Sequence, residues 1–308
     1  MGRRKGGKPI NGWLVIDKPL GMSSAAVVAA VRRITGAAKA GHGGTLDPLA
    51  TGILPIALGE ATKTVPYIMD GAKTYRFRIR WGEARTTDDT EGEVSATSAV
   101  RPERSAIETA LNQFIGVIEQ VPPIFSAVKI GGQRAYALAR ENREVELSAR
   151  KVRIDRFILL GQTDADHADF EVASGKGAYM RSLARDLALA LGTVGHIALL
   201  RRLRVGPFNE DNAISLDKLA ELVHIPAAPS PVLPVETVLD DIPALALTEA
   251  DALRLHNGQA VSLLRMARDA LPPVISPGMI VRAMAGQRLV AVACIESGEL
   301  RPVRVMNL

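Results

Sequence analysis

The chain has a single cysteine, Cys294, so no disulfide can close within it, and this fits a reducing compartment. Aromatic residues fill only 4% of the 308 positions, fewer than expected of a protein that reads nucleic acid mainly by stacking platforms. No apolar run approaches the roughly 20 residues that span a bilayer. The opening Met1-Gly2-Arg3-Arg4-Lys5 is not followed by the apolar stretch of a secretory signal. No cysteine or second histidine stands at ligand spacing from His42, which excludes zinc there. Gly175-Lys176-Gly177 lacks the rest of a P-loop, which argues against nucleotide binding. A soluble, cytoplasmic protein without internal repeats is expected.

Hydrophobic residues make up 47% of the chain, an ordinary globular share, and the net charge is +5. Basic residues gather at Arg3, Arg4, Lys5 and Lys8, at Arg150, Lys151, Arg153 and Arg156, and at Arg201, Arg202 and Arg204. Such runs are as often solvated faces as contacts to an anionic partner. The length suits one large unit and one small one.

Residues 1–9 read as a flexible basic arm. Trp13 to Ile16 forms a strand, and Ser23 or Ser24 caps a helix carrying Val27, Val28, Val31 and Ile34, with Gly36 just beyond. Ile53 to Leu58 suits a buried strand. Thr74 to Trp81 alternates most clearly: Tyr75, Phe77, Ile79 and Trp81 face a core, and Arg76, Arg78 and Arg80 face solvent or RNA. Pro102 opens a helix whose buried stripe is Ile107, Ala110, Leu111, Phe114 and Ile115. Residues 122–150 are basic and weakly periodic, with a short helix predicted over Ala135–Arg140; the segment reads as an insertion off the core. Strands follow at Val152–Leu160 and Ala168–Ser174, then a helix from about Tyr179 that buries Met180, Leu183, Ala184, Leu187 and Leu191. Five prolines between Pro226 and Pro243 mark a linker or a chain wrapping a surface. Beyond them come a short helix near Ala250–Leu255 and strands at Val261–Leu264, Met279–Ala285 and Leu289–Ile295, with Gly286-Gln287 as a turn. Strands and helices without a regular βαβ repeat indicate an α+β protein.

The stretch Gly41-His42-Gly43-Gly44-Thr45-Leu46-Asp47-Pro48-Leu49-Ala50-Thr51-Gly52 holds one carboxylate among four glycines. Glycine lets a ligand approach the backbone, and Pro48 restricts Asp47 to extended or turn geometry. The residues alone fit either a functional loop or a plain Asp-capped turn.

This stretch resembles the catalytic motif of the TruB family of tRNA pseudouridine synthases. Further matches follow in order: Asp17-Lys18-Pro19-Leu20-Gly21 upstream, then Lys73-Thr74-Tyr75, Gln120-Val121-Pro122-Pro123, Gly177-Ala178-Tyr179-Met180-Arg181 and Leu200-Arg201-Arg202-Leu203. The resemblance covers roughly residues 10–260, and ordered motifs are far more specific than a lone glycine pattern. It implies a pseudouridine synthase fold, with a central mainly antiparallel mixed sheet flanked by helices. It also implies a small β-rich C-terminal PUA-like domain that binds RNA. The expected division is residues 10–240 for catalysis, with an RNA-gripping insertion at about 122–150, and 241–308 for the C-terminal domain.

The resemblance implies conversion of uridine 55 in the TΨC loop of tRNA to pseudouridine, by base flipping and without a cofactor. Asp47 is then the catalytic carboxylate, as nucleophile or as base at the ribose, and Arg181 its ion-pair partner. Tyr75 stacks on the flipped uracil, Tyr179 forms a pocket wall, and Leu200 packs beside the base. His42 enters the tRNA loop where the base has left, Lys18 supports the site loop or meets phosphate, and Asp89 matches a family acidic position. Lys18, Asp89, Arg201 and Arg202 are grouped with His42 as RNA contacts. From the residues alone, Arg181 and Arg185 could be an exposed basic stripe, Tyr75 the first residue of a core face, and Leu200 plain core. Gly43, Phe125 and Ala178 depart from the family pattern, which has Thr, Tyr and Thr there; each departure removes a hydroxyl and none a charge. The rival functions are a non-catalytic RNA-binding protein or tRNA-folding chaperone, and a synthase guided by a separate RNA. A monomer acting alone on tRNA is expected.

Overall fold

The strongest alternation in the sequence becomes the middle strand of the fold. A computed structural model describes residues 6–126, 129–130, 133–134, 147–225, 229–266 and 275–308. The main sheet contains β1 (Gly12–Lys18), β2 (Ala40–His42), β3 (Ala50–Leu58), β4 (Lys73–Trp81), β7 (Gly116–Gln120), β10 (Arg150–Gln162), β11 (His167–Ser174) and β12 (Gly195–Val205). Two short ribbons stand apart from it, β5 (Glu83–Arg85) with β6 (Val94–Thr97), and β8 (Lys129–Ile130) with β9 (Gln133–Arg134). The main sheet runs β1-β3-β12-β4-β11-β10-β7, with β2 beside β3. Every pairing in it is antiparallel except β3 with β12, so the fold is α+β with a mixed, mainly antiparallel sheet.

Tyr75, Phe77, Ile79 and Trp81 on β4 enter the main core as their parity requires. The arginine face stays at least partly accessible, as expected, and is laced with ion pairs. Arg78 makes a two-pronged pair with Asp169, and Arg76 and Arg80 pair with Glu171 and Glu83. β1 reads as an unbroken apolar run because both of its faces are covered. Leu14 and Ile16 join the main core, and Trp13 and Val15 a second one behind the sheet.

Helix α1 (Ser24–Thr35) has the caps its sequence announces. Ser23 accepts from the Ala26 N–H, and Gly36, at φ 71°, donates to the Arg32 carbonyl. Helices α2 (Val65–Asp70), α3 (Arg104–Leu111), α4 (Met180–Ala190) and α5 (Leu216–Val223) follow. α3 stops at Leu111, short of the expected stripe, and Ile115 is exposed because Gly116, at φ 96°, turns the chain into β7. The helix expected over Ala135–Arg140 lies outside the described residues.

Together with α6 (Glu249–His256), a five-stranded sheet makes up the C-terminal part, in the order β13 (Ala244–Ala246), β15 (Ile280–Ala285), β16 (Arg288–Glu296), β17 (Glu299–Val305), β14 (Val261–Ser262). β17 is absent from the sequence reading, although Ser297 and Gly298, both at positive φ, form the two-residue turn that leads into it. This sheet does not hang free. Leu289, Val292 and Met306 share the second core with Trp13, Ile53, Ala57, Val235 and Leu239. The proline-rich segment wraps rather than links: Leu233 exchanges backbone hydrogen bonds with Trp13, whose indole donates to the Val235 carbonyl at 3.3 Å. Glu60 accepts from the Asn307 N–H at 2.7 Å, which ties the segment after β17 to the turn that follows β3. Among the described residues no helix is long and apolar enough to cross a membrane.

Candidate active site

The loop between β2 and β3 carries Asp47 and is held from three sides. From α1, the Ser24 hydroxyl donates to the Leu46 carbonyl at 2.9 Å and accepts from the Leu46 N–H at 2.8 Å. From β1, the fully buried Lys18 ammonium donates to the Pro19, Met22 and Pro48 carbonyls at 2.7–3.1 Å. From β12, the Arg202 guanidinium donates to the Gly44, Thr45 and Ile53 carbonyls at 2.8–3.3 Å. Gly52 lets the β12 backbone come this close to β3, since a Cβ there would stand 2.2 Å from the Arg202 backbone carbonyl oxygen. Ser24→Ala removes both of its bonds and leaves buried Leu46 backbone groups unmet. Denaturant unfolding should show a loss of about 1–3 kcal/mol.

Asp47 then meets α4. Arg181, only 5% exposed, places Nη2 2.9 Å from Asp47 Oδ2 and 3.4 Å separates its Nη1 from Asp89 Oδ2. The same guanidinium donates to the Thr87 and Phe125 carbonyls at 3.0 and 2.8 Å. Four acceptors therefore surround one buried cation, and Arg181 is not part of an exposed stripe. Arg185, one turn along, instead pairs with Asp88 and Asp186.

Asp47 opens onto a cleft of about 300 Å³ whose lining includes Tyr75, Leu200, Tyr179 and Met69 together with Arg181 and Arg202. The Asp47 side chain keeps 36% of its surface accessible, and that part belongs to the cleft. Burial pushes its carboxyl above the ordinary value, Arg181 pulls it back down, and Asp89 pushes it up again. Lys73 also lines the cleft; burial, with help from Arg202, brings its ammonium down to about 8. Burial raises the Tyr179 phenol, and the Tyr179 backbone is fixed by exchange of two hydrogen bonds with the Gln120 side chain. Among the described residues no His, Cys, Asp and Glu cluster could hold a metal.

Three expected RNA contacts need correction. Lys18, Asp89 and Arg202 are buried, and each spends its polar atoms on the protein, so none offers itself to a phosphate at the surface. Lys18 takes the other role expected of it, support of the site loop. Arg201 is partly accessible but forms a two-pronged pair with Asp17 and a bond to Glu210. His42 sits on β2 opposite Ile56 and does not line the cleft. The carbonyls of Thr87 and Phe125 and the side chain of Gln120 were not anticipated. Backbone acceptors leave no mark in a sequence, whereas Gln120 stands in a recognised motif.

The chain matches the model of the TruB family pseudouridylate synthase N-terminal domain over residues 32–180 and that of the tRNA pseudouridylate synthase B C-terminal domain over residues 181–240. It is 58% identical to the tRNA pseudouridine synthase B of Gluconacetobacter diazotrophicus, across 99% of this chain and 100% of that one. It is 56% identical to the protein of the same name from Rhodospirillum rubrum, across the whole of both. The chain belongs to the TruB family. Among solved structures it resembles the archaeal box H/ACA sRNP Nop10-Cbf5 complex, with a TM-score of 0.74 at 24% identity over 99% of this chain and 92% of that one, a likeness of fold. A Cbf5-Nop10-Gar1 complex gives a TM-score of 0.73 at 27% identity, over 96% and 84%.

The departures from the usual TruB pattern have local explanations. A Cβ at Gly43 would stand 2.8 Å from Ile68 Cγ2 and 3.3 Å from both Pro55 and Trp13, so here Ile68 fills the space a side chain would take. Phe125 serves Arg181 through its carbonyl, which the loss of a phenolic hydroxyl does not touch. Ala178 simply lines the cleft.

Proposed function

We propose that this TruB-family isomerase converts uridine 55 in the TΨC loop of tRNA to pseudouridine, acting alone and without a cofactor. One observation carries the reading: a single carboxylate, Asp47, is ion-paired by the buried Arg181 on the floor of a cleft with aromatic and aliphatic walls. The reaction breaks N1–C1′, turns the uracil and joins C5 to C1′; C5 gives up a proton and N1 gains one, so no atoms enter or leave. As the base departs, C1′ becomes electron-deficient, and a carboxylate there either captures it or takes a proton from the ribose. Tyr75 and Leu200 sandwich the extruded base, Tyr179 closes the wall, and His42 fills the vacated stack in the tRNA. A binding protein or chaperone has no use for a carboxylate held against a buried arginine. The five-stranded C-terminal unit, read as PUA-like, and the basic residues 150–156 hold the phosphate backbone.

An unmodified tRNA transcript incubated with the protein alone should yield pseudouridine at position 55 and nowhere else. Product at another position only overturns the substrate assignment, and a need for a guide RNA overturns independent action. Affinity for the transcript should fall steadily as salt rises, as counterion release requires, and a salt-insensitive affinity counts against the backbone contacts.

A further inference from the structure

Arg202 and Arg201 are neighbours in sequence with unlike fates. β12 alternates, so Arg201 turns to the face where Asp17 and Glu210 wait, and Arg202 turns to the face of Leu200 and the cleft. β12 is also the strand between β3 and β4. Arg202 is paired in register with Gly52 on one side and with Tyr75 on the other.

We propose that Arg202 is a positioning residue whose one guanidinium holds the Asp47 loop and Tyr75 in a single frame, fixing the distance between the carboxylate and the ring that receives the base. The proposal rests on the function given above. Its geometry is specific to a guanidinium. Nη2 and Nη1 bind the Gly44 and Thr45 carbonyls ahead of Asp47, and Nε binds the Ile53 carbonyl beyond it, so the loop is gripped at both ends. Tyr75 is the in-register neighbour of Arg202 on β4 and lines the same cleft, and its phenol favours the charged form of the same group. A lysine has one nitrogen and cannot span these acceptors.

The energetics point the same way. Arg202 is 1% exposed, and among the described residues no carboxylate lies within ion-pairing distance of it. A buried cation without a counter-ion is costly, and an apolar side chain would pack this strand more cheaply. Local rules broken at such expense cluster where function requires a fixed geometry. A reacting group displaced by about 1 Å can lose a factor on the order of 10² in rate.

The test compares Arg202→Lys, which keeps the charge and loses the fork, with Arg202→Gln, which keeps donors and loses the charge. Each is assayed on an unmodified tRNA transcript below the lowest melting temperature of the set, and each is combined with Tyr75→Phe. If wild type makes no pseudouridine, the proposed function fails and Arg202 is not at issue. If wild type is active, both variants should lose about 10–100-fold in kcat with KM within about twofold, and the losses should be non-additive with Tyr75→Phe. Wild-type kcat in Arg202→Lys overturns the proposal, since charge alone would then suffice. A rise in KM at constant kcat overturns it in favour of an RNA contact. Strict additivity with Tyr75→Phe overturns the single frame.

Discussion

Asp47→Asn should abolish pseudouridine formation, lowering kcat by more than about 10⁴-fold, a loss typical of removing the reacting group itself. The amide keeps the shape of the side chain and an oxygen for Arg181 Nη2, now 2.9 Å from Oδ2, so the cleft should persist. It removes the charge that C1′ needs. Binding of tRNA should survive, because the loop is held by Ser24, Lys18 and Arg202 rather than by Asp47. Single-turnover assays beside a filter-binding isotherm read the two quantities apart. Turnover within about tenfold of wild type would show that another group does the chemistry. Any tRNA-folding activity should remain in this variant, since folding needs the surface and not the carboxylate.

Arg181→Met should cost both stability and rate. It leaves Asp47 and Asp89 facing each other without the cation that now lies 2.9 and 3.4 Å from them. Breaking such a pair costs roughly 3–5 kcal/mol when it is fully buried, and the lower end applies because the cleft partly screens Asp47. The pH dependence has a definite sign. Burial already raises the Asp47 carboxyl, and Arg181 is the main influence opposing it. Without the arginine the carboxyl rises further, so the acid limb of kcat/KM should move to higher pH. A carboxyl raised in the folded state holds its proton more tightly than the unfolded chain does. Its contribution to stability is complete below the unfolded value and lost as pH rises through the folded one. Arg181→Met should therefore be less destabilised in acid than at neutral pH, as chemical denaturation across that range would show. An acid limb that stays in place would remove Arg181 from control of the charge.

Much of this was legible in the sequence where a local rule acts alone. Parity placed the inner face of β4, and the serine pair Ser23-Ser24 and Gly36 marked the ends of α1, with Ser23 the actual cap. Asp47, Arg181 and Tyr75 came from ordered motifs, not from their chemistry: the residues alone allowed a plain turn, a basic stripe and a core face. Arg201 and Arg202 were treated as one basic cluster, yet adjacent strand residues point to opposite faces, and the parity of Leu200 already put Arg202 inside. Lys18 and Asp89 stand out only by matching motif positions, and a motif match does not tell a buried charge from one offered to RNA. β17 was missed because Pro302 interrupts its pattern, though Ser297-Gly298 announced the turn before it. The acids opposite Arg76 and Arg78 lie far along the chain, on β11, and only the register of β4 with β11 brings them together.

The interior shared by Trp13, Val292 and Met306 has a mechanical consequence. Neither sheet can shed its partner without baring indole and aliphatic surface to water, so the two should melt as one cooperative body. Whatever the outer sheet grips is thereby levered against the same girder that carries the carboxylate, and a substrate seated on one is already aimed at the other.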